Sequence, residues 1–173
     1  MSNKSNKLFI GISGKMCVGK STITKLLINA IDNSTRFSVA KPLYECQDIL
    51  YSKLGLTLES EKDRDLLIAL GMWGRNKDPN FWLNQFVTSA LDSDTEVIIC
   101  DDVRFPNEAD FFAKHGVLIR IDGEQRGANV DTSRATDSTE TSLDEYPFKH
   151  IVSNSNSPED MCKEIAEILM GNR

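Results

Sequence analysis

Apolar residues along this chain recur in two periods that alternate from one segment to the next. Residues 7–13, KLFIGIS, are a nearly unbroken apolar run ahead of a glycine loop, the pattern of a strand buried on both faces. From Lys20 to Ile31 the spacing turns helical through Ile23, Leu26, Leu27 and Ala30, and it breaks at DNST. RFSVA, 36–40, predicts a second strand. Pro42 then opens a helix whose apolar positions run from Leu43 to Leu54. Helical period returns over 61–71 through Leu66, Leu67 and Leu70, and again from Asn80 to Leu91 behind the turn KDPN. EVIICDD, 96–102, is the most strand-like segment, an apolar run closed by two aspartates. PNEADFFAKHG, 106–116, predicts a helix with a glycine stop, and VLIRID, 117–122, a strand. HIVSN, 150–154, is the last strand, followed by a helix over 157–170 with Ser157 at its N-cap and Pro158 at its first position.

This alternation predicts a parallel sheet of five strands with helices on both faces, a three-layer α/β/α sandwich. The 173 residues suffice for one continuous core, so the chain is read as a single domain with a polar tail at 1–6. One segment departs from the pattern. Residues 123–139 are polar, lack any period and exceed the usual loop length, as lids or disordered segments do, and they are read as a lid.

Composition narrows the function classes. No apolar run approaches the ~20 residues that span a bilayer, and no signal segment follows the start, so no membrane partner is expected. Cys17, Cys46, Cys100 and Cys162 are scattered without a C-x-x-C pair, which argues against zinc or a disulfide framework and for a reducing cytoplasm. A net charge of −6 gives no support to a nucleic-acid grip, for which a basic excess is the usual sign.

Between the first strand and the first helix lies ISGKMCVGKS, residues 12–21, which fits the template G-x-x-x-x-G-K-[ST]. Gly14 and Gly19 let the backbone curl so that N–H groups point at phosphate oxygens, and the helix beginning near Lys20 turns its positive end to the same place. The expected nucleotide contacts are Gly14, Lys15, Val18, Gly19, Lys20, Ser21 and Thr22. Lys20 would neutralise the β- and γ-phosphates of ATP, and the Ser21 hydroxyl would hold Mg²⁺. Asp101 and Asp102, ending the VIIC strand, are the carboxylates expected on the metal side. The plainer account of Cys17 is a small residue that suits the loop.

No guanine-reading N-K-x-D segment is present, and the chain is short for a motor ATPase, which leaves a small-molecule kinase. Transfer between phosphates needs cations to gather two anions rather than a strong base. Arg104 falls at the carboxyl edge of the sheet, and Arg126 and Arg134 fall in the expected lid. With Lys20, these three arginines are the catalytic candidates. Arg64 and Arg75 flank the acceptor-side helices, 41–92, near Trp73 and Trp82, and Tyr44, Trp73, Phe81 and Trp82 could stack on a base.

CDDVRFPNEADFFAKHGVLIRI resembles the segment of phage-type deoxynucleoside monophosphate kinases that carries D-x-R-F-x-N-E, here Asp102, Arg104, Phe105, Asn107 and Glu108. GKMCVGKS is similar to that family's loop, including Lys15. VAKPLYE resembles A-[DK]-P-L-K-E, LLIALGMWGRNKDPNFW its Arg…Trp stretch, and DSTETSL its H-x-S-E-x-x-L, which brings in Glu140. Asp137 stands where histidine is expected, Lys41 where an acid is common and Tyr44 where lysine is common.

The resemblance covers nearly the whole chain. It implies a P-loop, nucleoside monophosphate kinase-like fold and transfer from ATP to a deoxynucleoside monophosphate, in a virus making DNA precursors in its host's cytoplasm. On this basis the acceptor contacts are Lys41, Tyr44, Arg64, Arg75, Trp82, Asp102, Arg104, Glu108 and Glu140, and the partners are small nucleotides, with a homodimer left open. Phosphomevalonate kinases of the animal type share the loop and a strand ending D-x-R. A kinase of hydroxymethylated pyrimidine in DNA and a non-catalytic nucleotide sensor stay open beside them.

Overall fold

The computed structural model describes residues 7–126 and 137–171. The chain divides into two compact units, Met1–Arg36 with Asp94–Arg173, and Phe37–Ser93. The tail at 1–6 and most of the 123–139 segment, Arg134 included, lie outside the described residues.

The first unit is built on a five-stranded sheet of β1 (Leu8–Ser13), β2 (Ser34–Arg36), β3 (Val97–Cys100), β4 (Gly116–Asp122) and β5 (His150–Ser153). Its order is β2-β3-β1-β4-β5, and every neighbouring pair is parallel. Parallel strands need crossovers, here made by helices that cover both faces. On one face, α1 (Lys20–Ala30) and α7 (Pro158–Gly171) close over Ile10, Ile12, Ile99, Ile119, Ile121 and Val152, with Ile23, Leu27, Met161 and Ile165 pointing down from the helices. On the other, α5 (Pro106–His115) packs on β1 and β4. There Phe9 meets Phe111 and Phe112 edge to face, with centroids 5.2 and 6.4 Å apart. Gly11 makes this approach feasible, since a Cβ there would lie 2.5 Å from the Phe112 ring. Burial on both faces is why β1 and β3 read as unbroken apolar runs. Ser157 caps α7 as expected, its Oγ accepting from the Asp160 N–H at 3.1 Å.

Two strand boundaries move. The second strand, expected at 36–40, is Ser34–Arg36, in register with Val97–Ile99. The apolar signal that suggested 36–40 has another origin. Phe37 meets Phe86 edge to face at 6.5 Å and Val39 is buried, both within the second unit. The strand expected at 96–102 ends at Cys100, which leaves Asp101 and Asp102 beyond the ladder. At the end of the 123–139 segment, where irregular chain was expected, a short helix, α6 (Ser138–Thr141), begins and runs on past it.

The second unit consists of α2 (Lys41–Leu54), α3 (Arg64–Lys77) and α4 (Phe81–Asp92). Its joint is polar as well as apolar. Asp63 caps α3 by accepting from Leu66 N at 3.0 Å, takes the Tyr51 hydroxyl at 2.6 Å, and gives its own N–H to the buried Gln47 Oε1 at 2.8 Å.

Candidate active site

The loop after β1 has the backbone its glycines foretell. Gly14 sits at φ +149°, where a Cβ would come within 2.5 Å of the Ile121 carbonyl oxygen, so only glycine fits. Cys17 holds a left-handed φ of +62° without that freedom. Val18 is buried in the core and anchors the loop. Gly19 leads into α1, whose N-terminus has no side-chain cap and no acidic residue in its first turn. Such an end leaves N–H groups available to an anion. Ser21 and Thr22 are exposed on that turn.

Lys20 curls back over the loop, its Nζ donating to the Gly14 and Lys15 carbonyls at 2.7 Å each. Its pKa is lowered to about 8, by burial first and then by the nearby charge of Arg104, against the opposing pull of Glu140 and Asp101. These residues from three separate segments therefore share one electrostatic field.

Arg104 precedes α5. Its backbone N–H and that of Phe105 both reach Glu108 Oε2, at 2.8 and 3.1 Å, so the buried Glu108 closes the start of α5 and fixes the arginine's main chain. The Arg104 guanidinium donates to the Thr139 carbonyl at 2.9 Å and pairs with Glu140 Oε1. Glu140 Oε2 accepts from the Met16 N–H of the phosphate loop at 2.9 Å, and the Glu140 carbonyl accepts from Lys15 Nζ at 2.6 Å. Burial works against the Glu140 charge, but the hydrogen bond and charge of Arg104, the Met16 N–H and Lys20 outweigh it and hold this carboxyl below its ordinary range. Lys15 also pairs with Asp144, which lies 3.7 Å from Arg120.

At the edge of the sheet, the buried Asp101 Oδ1 accepts from Arg36 Nε at 2.6 Å. Asp102 Oδ1 takes the Cys100 thiol at 3.0 Å, and burial with the neighbouring Asp102 charge pushes that thiol's pKa well up. Among the described residues no group of three or more His, Cys, Asp or Glu could hold a metal by itself. Mg²⁺ needs few protein oxygens, keeping waters and phosphate oxygens as its other ligands, and the Ser21 hydroxyl and the Asp101 and Asp102 carboxylates are oxygen donors of the kind that would suit it.

The remaining candidates fall elsewhere. Arg126 is exposed and its N–H donates to the Cys17 carbonyl at 2.9 Å. Lys41, Tyr44, Arg64, Arg75 and Trp82 belong to the second unit. Of these, Lys41 pairs with Glu45 at 3.5 Å, Tyr44 and Arg64 are exposed, and Arg75 is half-buried beside Gly71. Trp82 is a core residue whose indole N–H donates to the Gly71 carbonyl at 3.0 Å. Sequence reasoning passed over Arg36, because the misplaced strand put it at the start of β2 rather than at its carboxyl end. It also passed over Asn154 as a site residue, since nothing nearby in sequence shows what a buried asparagine touches.

No protein-family model matches the chain. Among solved structures it is similar over nearly its whole length to small α/β kinases. A shikimate kinase from Aquifex aeolicus aligns with 95% of this chain and 98% of its own, at TM-score 0.52 and 18% identity. A gluconokinase from Sinorhizobium meliloti aligns with 98% and 97%, at 0.54 and 14%. A shikimate kinase from Acinetobacter baumannii gives 98% and 96%, at 0.53 and 12%. The fold is that of P-loop kinases. In sequence, 99 residues are 34% identical to uncharacterized protein ORF77 of Ictalurid herpesvirus 1 (strain Auburn), covering 54% of this chain and 42% of that protein, so the match spans less than half of the relative.

Proposed function

We propose that the chain is an ATP-dependent kinase that passes the γ-phosphoryl group to a deoxynucleoside monophosphate. The observation that carries this reading is the convergence of two cations, Lys20 in the phosphate loop and Arg104 beyond β3, close enough that one depresses the pKa of the other. Two positive groups held together in a partly buried site cost free energy that bound anions would offset. The likeness to kinases in fold supports phosphoryl transfer, and the sequence resemblance supports the monophosphate acceptor.

In this reading Lys20 exchanges its two carbonyl partners for phosphate oxygens, while loop N–H groups and the uncapped end of α1 hold the rest of the chain of phosphates. Arg104, kept in place by Glu140 and Glu108, gathers the acceptor phosphate. The acceptor is an oxyanion already, so no strong base is required. Magnesium, when bound, screens the phosphate charges, and Ser21, Asp101 and Asp102 are the residues that would hold it. Arg126 and Arg134 would add positive charge, and Lys41, Tyr44, Arg64 and Arg75 are the proposed acceptor contacts of the second unit.

A hydroxyl acceptor is the second reading, favoured by the structural likeness to shikimate kinases and a gluconokinase. The deciding experiment measures ADP release with ATP and magnesium across deoxy- and ribonucleoside monophosphates, shikimate, gluconate, phosphomevalonate and DNA carrying hydroxymethylated pyrimidines. Turnover of a deoxynucleotide at ~1–100 per second is the expected result. Silence on every nucleotide, with turnover of another acceptor, replaces the proposal by that acceptor.

A further inference from the structure

β4 leaves the sheet at Asp122, and the chain turns at Gly123 with φ +133°. Against this turn lies Asn154, the first residue beyond β5 and only 5% exposed. Its Nδ2 donates to the Glu124 carbonyl at 2.7 Å and to the Val18 carbonyl at 3.2 Å, while Oδ1 accepts from Glu124 N at 3.1 Å. The Asn154 backbone N–H reaches the Asp122 carbonyl at 2.8 Å. Reversing the carboxamide would set its oxygen against two carbonyl oxygens and its NH₂ against an N–H, so the network admits one orientation.

Val18 belongs to the phosphate loop, and the carbonyl before it is engaged as well, by the Arg126 N–H at 2.9 Å. In a planar trans peptide the carbonyl of one residue points opposite to the N–H of the next. Holding the Cys17 and Val18 carbonyls outward therefore turns the N–H groups of Val18 and Gly19 the other way. A loop with glycines at 14 and 19 does not choose that arrangement unaided, because glycine lets its peptide planes rotate.

We infer that Asn154 is a positioning residue for the phosphate loop, a clasp that joins the exits of β4 and β5 to the Val18 carbonyl and so presets the loop N–H groups for phosphate. The inference rests on the reading of residues 14–22 as a nucleotide site. Gly123 is part of the device, since a Cβ there would fall 2.0 Å from Asn154 Oδ1. No other residue could sit at that turn without displacing the carboxamide.

The test is calorimetric titration of the full chain with ATP and magnesium, run beside thermal melts. Asn154→Asp puts a carboxylate against two carbonyl oxygens, and Gly123→Ala pushes the clasp away from the other side. Each should raise the Kd for ATP about tenfold or more, the range expected when a buried hydrogen-bonding group loses its partners. Ile165→Val, a core change in α7, gives a melting-point loss with the Kd unchanged and so calibrates mere destabilisation. Asn154→Asp and Gly123→Ala proteins that melt earlier yet bind ATP within twofold of the unaltered chain overturn the inference. If Asn154→Asp does not fold, Gly123→Ala decides alone by the same two outcomes. Failure of the underlying nucleotide reading looks different: the unaltered chain then binds no ATP, or Lys20→Ala binds it equally well, and the inference falls with it.

Discussion

The Glu140 carboxylate is shared between the Arg104 guanidinium and the Met16 N–H, so one side chain joins Arg104 to the phosphate loop. Neutralising it should separate the two. Glu140→Gln is expected to raise the KM for the acceptor several-fold more than it raises that for ATP, because Gln still accepts from Met16 N but no longer holds Arg104 by charge. A double-mutant cycle of Glu140→Gln with Arg104→Ala should give a coupling of about 1 kcal/mol or more in kcat/KM. Additive losses would show that the pair does not act as a unit.

Lys20→Ala should lower kcat by a factor of ~10² or more at saturating ATP, the usual cost of deleting a donor aimed at charge in the transition state. Retention of more than about a tenth of the rate would mean the phosphate site lies elsewhere.

The lowered pKa of Lys20 has a calorimetric signature. With a pKa near 8 the lysine is largely neutral at pH 9, and phosphate restores the ammonium form, so ATP binding should take up a proton there. Titrations at pH 9 in buffers of different ionisation enthalpy should report this uptake, and Lys20→Arg should abolish it. The sign for stability follows from the same shift. The unfolded lysine binds its proton more tightly, so the contribution of Lys20 to stability rises with pH between about 8 and 10.5.

Cys17 occupies a left-handed conformation that costs a side chain about 1–2 kcal/mol. Cys17→Gly should therefore be about 1 kcal/mol more stable than Cys17→Ala, measured by urea unfolding. Equal stabilities would contradict the strained φ.

Gly11→Ala should cost about 1–3 kcal/mol by overpacking, since its methyl would press into Phe112. Adding Phe112→Leu should recover part of the loss. A neutral Gly11→Ala would show that α5 rides higher on the sheet.

Some of this protein is written in short stretches of its chain. Unbroken apolar runs and a period of 3.6 reveal most of the sheet's strands and the helices around it, because both faces of β1, β3 and β4 are buried while each helix buries one stripe. The phosphate loop is equally local. Gly14, Gly19, Lys20 and Ser21 stand at fixed spacing between a strand and a helix, and that spacing alone marks where an anion would be held. The error at β2 has a physical cause too: Phe37 and Val39 are apolar because they pack in the second unit, and a periodicity count does not distinguish that from a strand.

What only the tertiary structure decided are the partners of the polar groups. Arg36 meets Asp101 across 65 positions, Glu140 meets Met16 across 124, and Asn154 meets Val18 across 136. Such pairs arise because the order β2-β3-β1-β4-β5 places the ends of distant strands side by side, with the phosphate loop at their centre. Local pattern determines which segments become strands and helices, since backbone hydrogen bonding and burial act over a few residues. The order of the strands is a property of the whole chain, and it chose the neighbours of Lys20, Arg104 and Asn154.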